Sequence, residues 1–143
     1  MPRVKIDLPA VFQFSSVIPI RITDLNYGGH VGNDTVLSVI HEARMQFLHH
    51  YGYTEMNFCG TGMIMSDVAI EFKNELFYGD KVKASVILTE ISKVSFALYY
   101  KLEKETTGKL VITAIARTGM VCYNYEAKKI AAVPEKIKIQ FNV

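Results

Sequence analysis

Between positions 33 and 51 apolar residues return every three or four places: Val36, Val39, Ile40, Ala43, Phe47, then His50 or Tyr51. That spacing lines one face of a helix. Leu37, Ile40 and Leu48 form a second apolar row, so the helix is predicted to be buried on more than one side. Asn33 or Asp34 suits the N-cap, His49 and His50 suit the negative end of the dipole, and Gly52 suits the C′ stop. Elsewhere the period is two. Residues 17–23 read as a first strand with Pro19 near its start. After Gly60-Thr61-Gly62, Val68, Ile70 and Phe72 alternate with Ala69, Glu71 and Lys73. Gly79-Asp80 turns the chain into the alternation Val82, Ala84, Val86, Leu88. Val94, Phe96, Leu98, Tyr100 and Leu102 share the next face. Thr106-Thr107-Gly108 turns into a long strand over 110–125, in which Gly119 marks a bulge or bend.

The order is therefore strand, loop, long helix, then four long strands. Short links between the last three strands imply an antiparallel meander. One apolar helix beside one large antiparallel sheet is an α+β solution, with the sheet curving round the helix and burying it almost completely. The segment from Pro134 to Phe141 reads either as a short helix or as an extension of a sheet edge. Long strand edges left open would favour association.

Composition narrows the class. A chain of 143 residues, 50% hydrophobic and 21% charged, fits a single domain over 1–143 with a core that needs no disulfide or metal staple. A balance of 16 basic against 14 acidic residues argues against nucleic acid as a partner. No apolar run is long enough to span a bilayer, and no membrane partner is expected. The start mixes charges early and lacks a signal-peptide pattern. Cys59 and Cys122 sit in unrelated contexts and read as free thiols, which fits a cytoplasmic location.

Chemistry concentrates between the first strand and the helix. Within ten residues lie a carboxylate (Asp24), two amides (Asn26 and Asn33), an imidazole (His30) and Gly28, Gly29 and Gly32. Glycines let backbone approach a ligand, and a helix tip offers unpaired N–H groups to a developing oxyanion. A carboxylate near those donors could attack an acyl carbon or activate water. The same residues would equally serve a capped connecting loop, in which Asp24 and Asn26 bond their own backbone.

The run Arg21-x-x-Asp24-x-Asn26-x-x-x-His30-Val31-x-Asn33, followed by Glu42-Ala43-Arg44, resembles the hotdog-fold acyl-CoA thioesterases of the 4-hydroxybenzoyl-CoA thioesterase type. The passage from Ile70 through Glu75 and Gly79-Asp80 to Val82 is similar to the same family. The resemblance covers about residues 15–126 and implies a hotdog fold: a long central helix wrapped by a five- or six-stranded antiparallel sheet. It implies hydrolysis of an acyl-CoA or acyl-carrier-protein thioester to a free acid and a thiol. On its pattern Asp24 becomes the nucleophile or general base, the backbone N–H of Val31 polarises the carbonyl, and His30 orients the carboxylate or lines the site. Asn33 matches an asparagine common in the motif. Read from the residues themselves, Asn26, Tyr27, Gly29 and Asn33 are candidate substrate contacts, and Lys73 is a candidate for the phosphates of coenzyme A. Coenzyme A enters as part of substrate and product, with no other cofactor and no metal. The family pairs sheets, so a homodimer or homotetramer with sites at the subunit junction is expected. This chain has Asn26 and Gly32 where many members have Asp and Asn.

Two other functions compete. A hotdog enoyl-thioester hydratase pairs an acid with an imidazole five residues on, whereas Asp24 and His30 are six apart. A non-catalytic acyl-thioester-binding protein would keep the pocket without a competent carboxylate. Glu42 is a reserve acid on the helix, or with Arg44 part of a structural ion pair at the helix surface or a subunit contact. Met56, Met63 and Met65 suit either core or an acyl pocket. Lys93 and Arg117 are further candidates for coenzyme A phosphates, and the histidines lack metal-ligand spacing.

Overall fold

The computed structural model describes residues 3–142. The first strand, β1 (Phe14–Pro19), leads through a 3₁₀ turn (Ile22–Asp24) and a tight loop into the helix α1 (Asn33–His50). There follow β2 (Gly62–Phe72), β3 (Lys81–Thr89), β4 (Ser95–Thr106), β5 (Lys109–Asn124), β6 (Lys129–Ile130) and a short helix α2 (Glu135–Gln140). The strands form one six-stranded antiparallel sheet in the order β1-β3-β4-β5-β2, with β6 also paired to β5. The meander β3-β4-β5 is as predicted, and the two strands that flank the helix in sequence become the sheet's edges. The result is the hotdog arrangement implied by the resemblance.

The helix buries Val36, Val39, Ile40, Ala43, Phe47 and Leu48 against the strands' inward row of Val82, Val86, Leu88, Phe96, Leu98, Tyr100 and Leu102. Fully burying an aliphatic or Phe side chain contributes about 1.5–3 kcal/mol, so this seam dominates the fold's stability. The helix is less enclosed than its two apolar rows suggest, because Ser38, His41, Glu42, Met45 and His49 remain exposed as one stripe. Gly32 rather than Asn33 is the N-cap, with extended backbone at φ −75° and ψ 164°. At the far end Gly52 takes φ 82°, the left-handed conformation that halts a helix without strain.

The first strand lies three residues earlier than its β-branched pattern suggests. Pairing runs from Phe14↔Val86 to Pro19↔Lys81, where β3 begins, so residues beyond Pro19 have no strand to join. The irregularity expected at Gly119 falls on its partner: β2 slips register between Met65 and Asp67, and Asp67 sits opposite Gly119. Gly119 donates its N–H to Asp67 at 3.0 Å, and a Cβ there would collide with that carboxylate. The tail resolves as helix α2, seated on the core through Ile137 and Phe141.

One feature has no signature in the periodicity. Residues 6–12 cross the outer face of the sheet, where Ile6, Leu8 and Phe12 pack on Ile87, Ala97 and Tyr99. Ile6 donates its N–H to Glu71 at 2.7 Å, so this arm covers the face that the helix does not.

Candidate active site

The loop before α1 is a closed turn. Leu25 and Val31 form a β-bridge, and Asn26 donates its N–H to the His30 carbonyl at 2.9 Å. The Asn26 side chain accepts the Gly28 N–H at 2.8 Å, an Asx turn, and Gly29 closes it at φ 81°. Asn26 and Gly29 thus shape the turn. Tyr27 at its tip is fully exposed.

His30 emerges where this turn meets the helix. Its Nδ1 lies 3.3 Å from the Val31 carbonyl. A carbonyl only accepts, so Nδ1 carries the proton and neutral His30 keeps its lone pair on Nε2. His30 lines a crevice of about 280 Å³ together with Val31, Asn33 and Val36 of the helix tip. The far wall is Phe72 to Leu76, and Thr113 and Ala114 form the floor. The first-turn N–H groups of α1, those of Asn33, Asp34 and Thr35, have no side-chain cap and face the same end of the helix.

Two sequence expectations change here. The Val31 N–H is not a free donor, because it is bonded to the Leu76 carbonyl at 2.9 Å. Its work is to tie the loop to the segment after β2, and the open donors lie further on, at the first turn of α1. Asp24 is not at the helix tip either. Its carboxylate accepts the Arg21 N–H at 2.8 Å and lies 3.6 Å from the Arg21 guanidinium, closing a capping box around the 3₁₀ turn. It opens on a separate crevice of about 330 Å³ between β1 and α1, shared with Ser38, Glu42 and Gln46. One chain therefore brings His30, Asn33 and Lys73 together and leaves Asp24 on the other flank of the helix. Lys73 reaches the His30 crevice from the end of β2 while its ammonium pairs with Glu71 at 3.2 Å. Lys93 and Arg117 line neither crevice. Arg117 is instead tied to Asp67 and Glu90 on the sheet's outer face, at 3.5 and 3.0 Å.

Glu42 does not pair with Arg44. It accepts a hydrogen bond from Gln46 at 2.7 Å, while Arg44 turns inward and is 5% exposed. Arg44 donates to Glu55 at 2.8 Å and to the Tyr100 hydroxyl at 3.2 Å, and that hydroxyl also bonds Thr118 at 2.8 Å. The other Glu55 oxygen meets His41 Nε2 at 2.9 Å. Burial pushes the Glu55 carboxyl up, but hydrogen bonds from His41 and Arg44 outweigh it and hold the group below the usual carboxylate range. Periodicity placed Arg44 on the helix but could not reveal that its partner lies beyond the helix.

Met63 is core, whereas Met56 and Met65 are exposed. Among the described residues no group of three His, Cys, Asp or Glu side chains is placed to hold a metal ion. Cys59 is half-buried and Cys122 buried, both as free thiols. Burial pushes the Cys122 thiol up to about 11. A thiol-specific reagent at neutral pH is therefore expected to modify Cys59 in the native protein and to reach Cys122 only after denaturant is added. Equal rates at both, counted by intact mass, would contradict this packing.

The family model described as the thioesterase-like superfamily matches residues 20–141. The chain belongs to that superfamily. Within it the chain is 27% identical over 122 residues to a 1,4-dihydroxy-2-naphthoyl-CoA hydrolase of Microcystis aeruginosa, covering 83% of this chain and 86% of that protein. The fold matches a thioesterase-superfamily protein from Jannaschia sp. CCS1 with TM-score 0.81 and 18% identity, over 93% of this chain and 83% of that one. It matches a variant 4-hydroxybenzoyl-CoA thioesterase complexed with 4-hydroxybenzoyl-CoA with TM-score 0.79 and 16% identity, over 90% and 97% of the two chains. The family match begins at residue 20, so the arm across the outer sheet face precedes it.

Proposed function

We propose that this member of the thioesterase-like superfamily hydrolyses an acyl thioester of coenzyme A to a carboxylic acid and a free thiol, as one hotdog domain. The observation that carries the proposal is the crevice at the tip of α1, where an imidazole with an available Nε2 stands beside uncapped helical N–H groups. The thioester carbonyl oxygen would sit on the amides of Asn33 to Thr35, whose dipoles favour the charge that develops there. His30 Nε2 would take a proton from water as the water oxygen bonds to the carbonyl carbon. Collapse of the tetrahedral intermediate breaks the C–S bond, and the proton held by Nε2 passes to the leaving thiolate. Val36, Phe72, Leu76 and Ala114 supply apolar wall for the acyl side, and Lys73 at the rim suits a phosphate of coenzyme A.

This assignment moves the base from Asp24 to His30 and gives Asp24 the work of holding the 3₁₀ turn. No helix of the described residues is long and apolar enough to cross a membrane. Two free thiols suit a reducing, cytoplasmic setting.

The active form proposed is a homodimer. Strand β2 is a sheet edge with Met65, Val68 and Phe72 exposed on its inward face, and Phe72 also walls the His30 crevice. A second copy on that edge would cover the apolar side chains and narrow the crevice. Light scattering is expected to give at least twice the 16.1 kDa chain mass, and a monomer retaining full activity would contradict a shared crevice.

The activity itself is tested by a thiol-release assay over aromatic, short-chain and long-chain acyl-CoAs. Turnover of at least one class, undiminished by a metal chelator, is expected. Tight binding across the panel with no thiol released would assign the fold to acyl-thioester binding instead.

A further inference from the structure

We propose that Glu75 acts on His30 as a positioning residue, stabilising the imidazolium that forms as the base takes its proton. The proposal rests on His30 being the water-activating base.

Glu75 lies in the connection between β2 and β3, and its backbone is fixed on two sides. The neighbouring Leu76 carbonyl accepts the Val31 N–H at 2.9 Å. The Glu75 carbonyl accepts from the Lys104 ammonium at 2.7 Å, and the same ammonium lies 3.2 Å from Asp80. With the main chain held beside the His30–Val31 peptide, the Glu75 carboxylate stands 4.0 Å from His30 Nε2, and both side chains line the same crevice. The Nδ1 hydrogen bond to Val31 fixes the opposite side of the ring.

The separation is informative. At 4.0 Å the two atoms are too far apart for a direct hydrogen bond. While the imidazole is neutral, the carboxylate leaves the Nε2 lone pair free for a water proton. Once Nε2 is protonated, an opposite charge at this range favours the charged ring. Glu75 itself neither gains nor loses a proton in the step. The other charged group lining the crevice is Lys73 at the end of β2, paired with Glu71 at 3.2 Å, while Asp34 lies in the first turn of α1 and outside the crevice lining. On its own loop Asp24 is engaged by Arg21. Glu75 is thus the carboxylate within ion-pair range of the ring.

The test is steady-state acyl-CoA kinetics on the full chain for the wild type, Glu75→Gln and Glu75→Asp, with the folding of each variant checked by a thermal melt. Loss of the carboxylate is expected to reduce kcat several-fold with KM little changed, and Glu75→Asp should recover part of that loss. An unchanged kcat in a folded Glu75→Gln variant, or a loss confined to KM, overturns the role of Glu75 and leaves the thioesterase proposal intact. A wild type that releases no thiol, or a His30→Gln variant with full turnover, removes the base on which Glu75 acts and overturns both.

Discussion

Replacement of His30 by Gln is expected to lower kcat by at least about 10²-fold, the lower bound of what a positioned general base supplies. KM should change little, because the acyl group is held by the crevice walls rather than by the imidazole. The matched control is Asp24→Asn. Its carboxylate is spent on the Arg21 N–H and guanidinium, so the variant, whose amide oxygen still accepts that N–H, should keep turnover within an order of magnitude and lose about 0.5 kcal/mol of stability or less, the worth of an exposed ion pair. Steady-state kinetics and a thermal melt on the two variants separate the roles. A large loss of turnover in Asp24→Asn, with His30→Gln active, would return the catalytic carboxylate to the position the family resemblance implies.

The largest stability effect is expected from Glu55→Ala. Arg44 is 5% exposed and relies on Glu55 at 2.8 Å for its charge balance, while it also donates to the neutral Tyr100 hydroxyl. Removing one member of a fully buried pair costs about 3–5 kcal/mol. The Glu55 side chain is 25% exposed, so solvent screening reduces this to about 2–3 kcal/mol. For a chain of this length that corresponds to a fall in Tm of about 5–10 °C. The effect should depend on pH. The Glu55 carboxyl is held below its ordinary value of 4.5, so its stabilisation is present above that value and is lost as pH falls through the lower folded value. The melting gap between wild type and Glu55→Gln should therefore close below about pH 4.5. A gap that persists unchanged into that range would contradict an ionised Glu55 clamping Arg44.

Much of the fold was visible in periodicity because both periods are set by local geometry. Val36 to Phe47 had to face one way on a helix, and Val82 to Leu88 one way on a strand. The Thr107-Gly108 turn was equally local, and its left-handed backbone (φ 50° and 79°) is what such a link requires. The site was legible only as a neighbourhood. Asx residues, glycines and a histidine marked the loop, but the same residue types serve as caps and as catalysts. What separated the roles was tertiary. The Val31 N–H goes to Leu76, and Glu75 comes opposite His30 through the same contact, between segments far apart in sequence. Asp24 is drawn into a capping box by the turn that follows Pro19, where β3 no longer offers a partner. Helical spacing gives the face on which Arg44 lies but not the Glu55 and Tyr100 that approach it.

The most direct measurement is a crystal structure with a non-hydrolysable acyl-CoA analogue, such as a thioether ketone. The carbonyl oxygen should lie on the first-turn amides of α1, with His30 Nε2 within hydrogen-bond reach of the water or analogue atom beside the carbonyl carbon. An analogue bound instead in the crevice between β1 and α1, with its carbonyl carbon against the Asp24 carboxylate, would contradict the account.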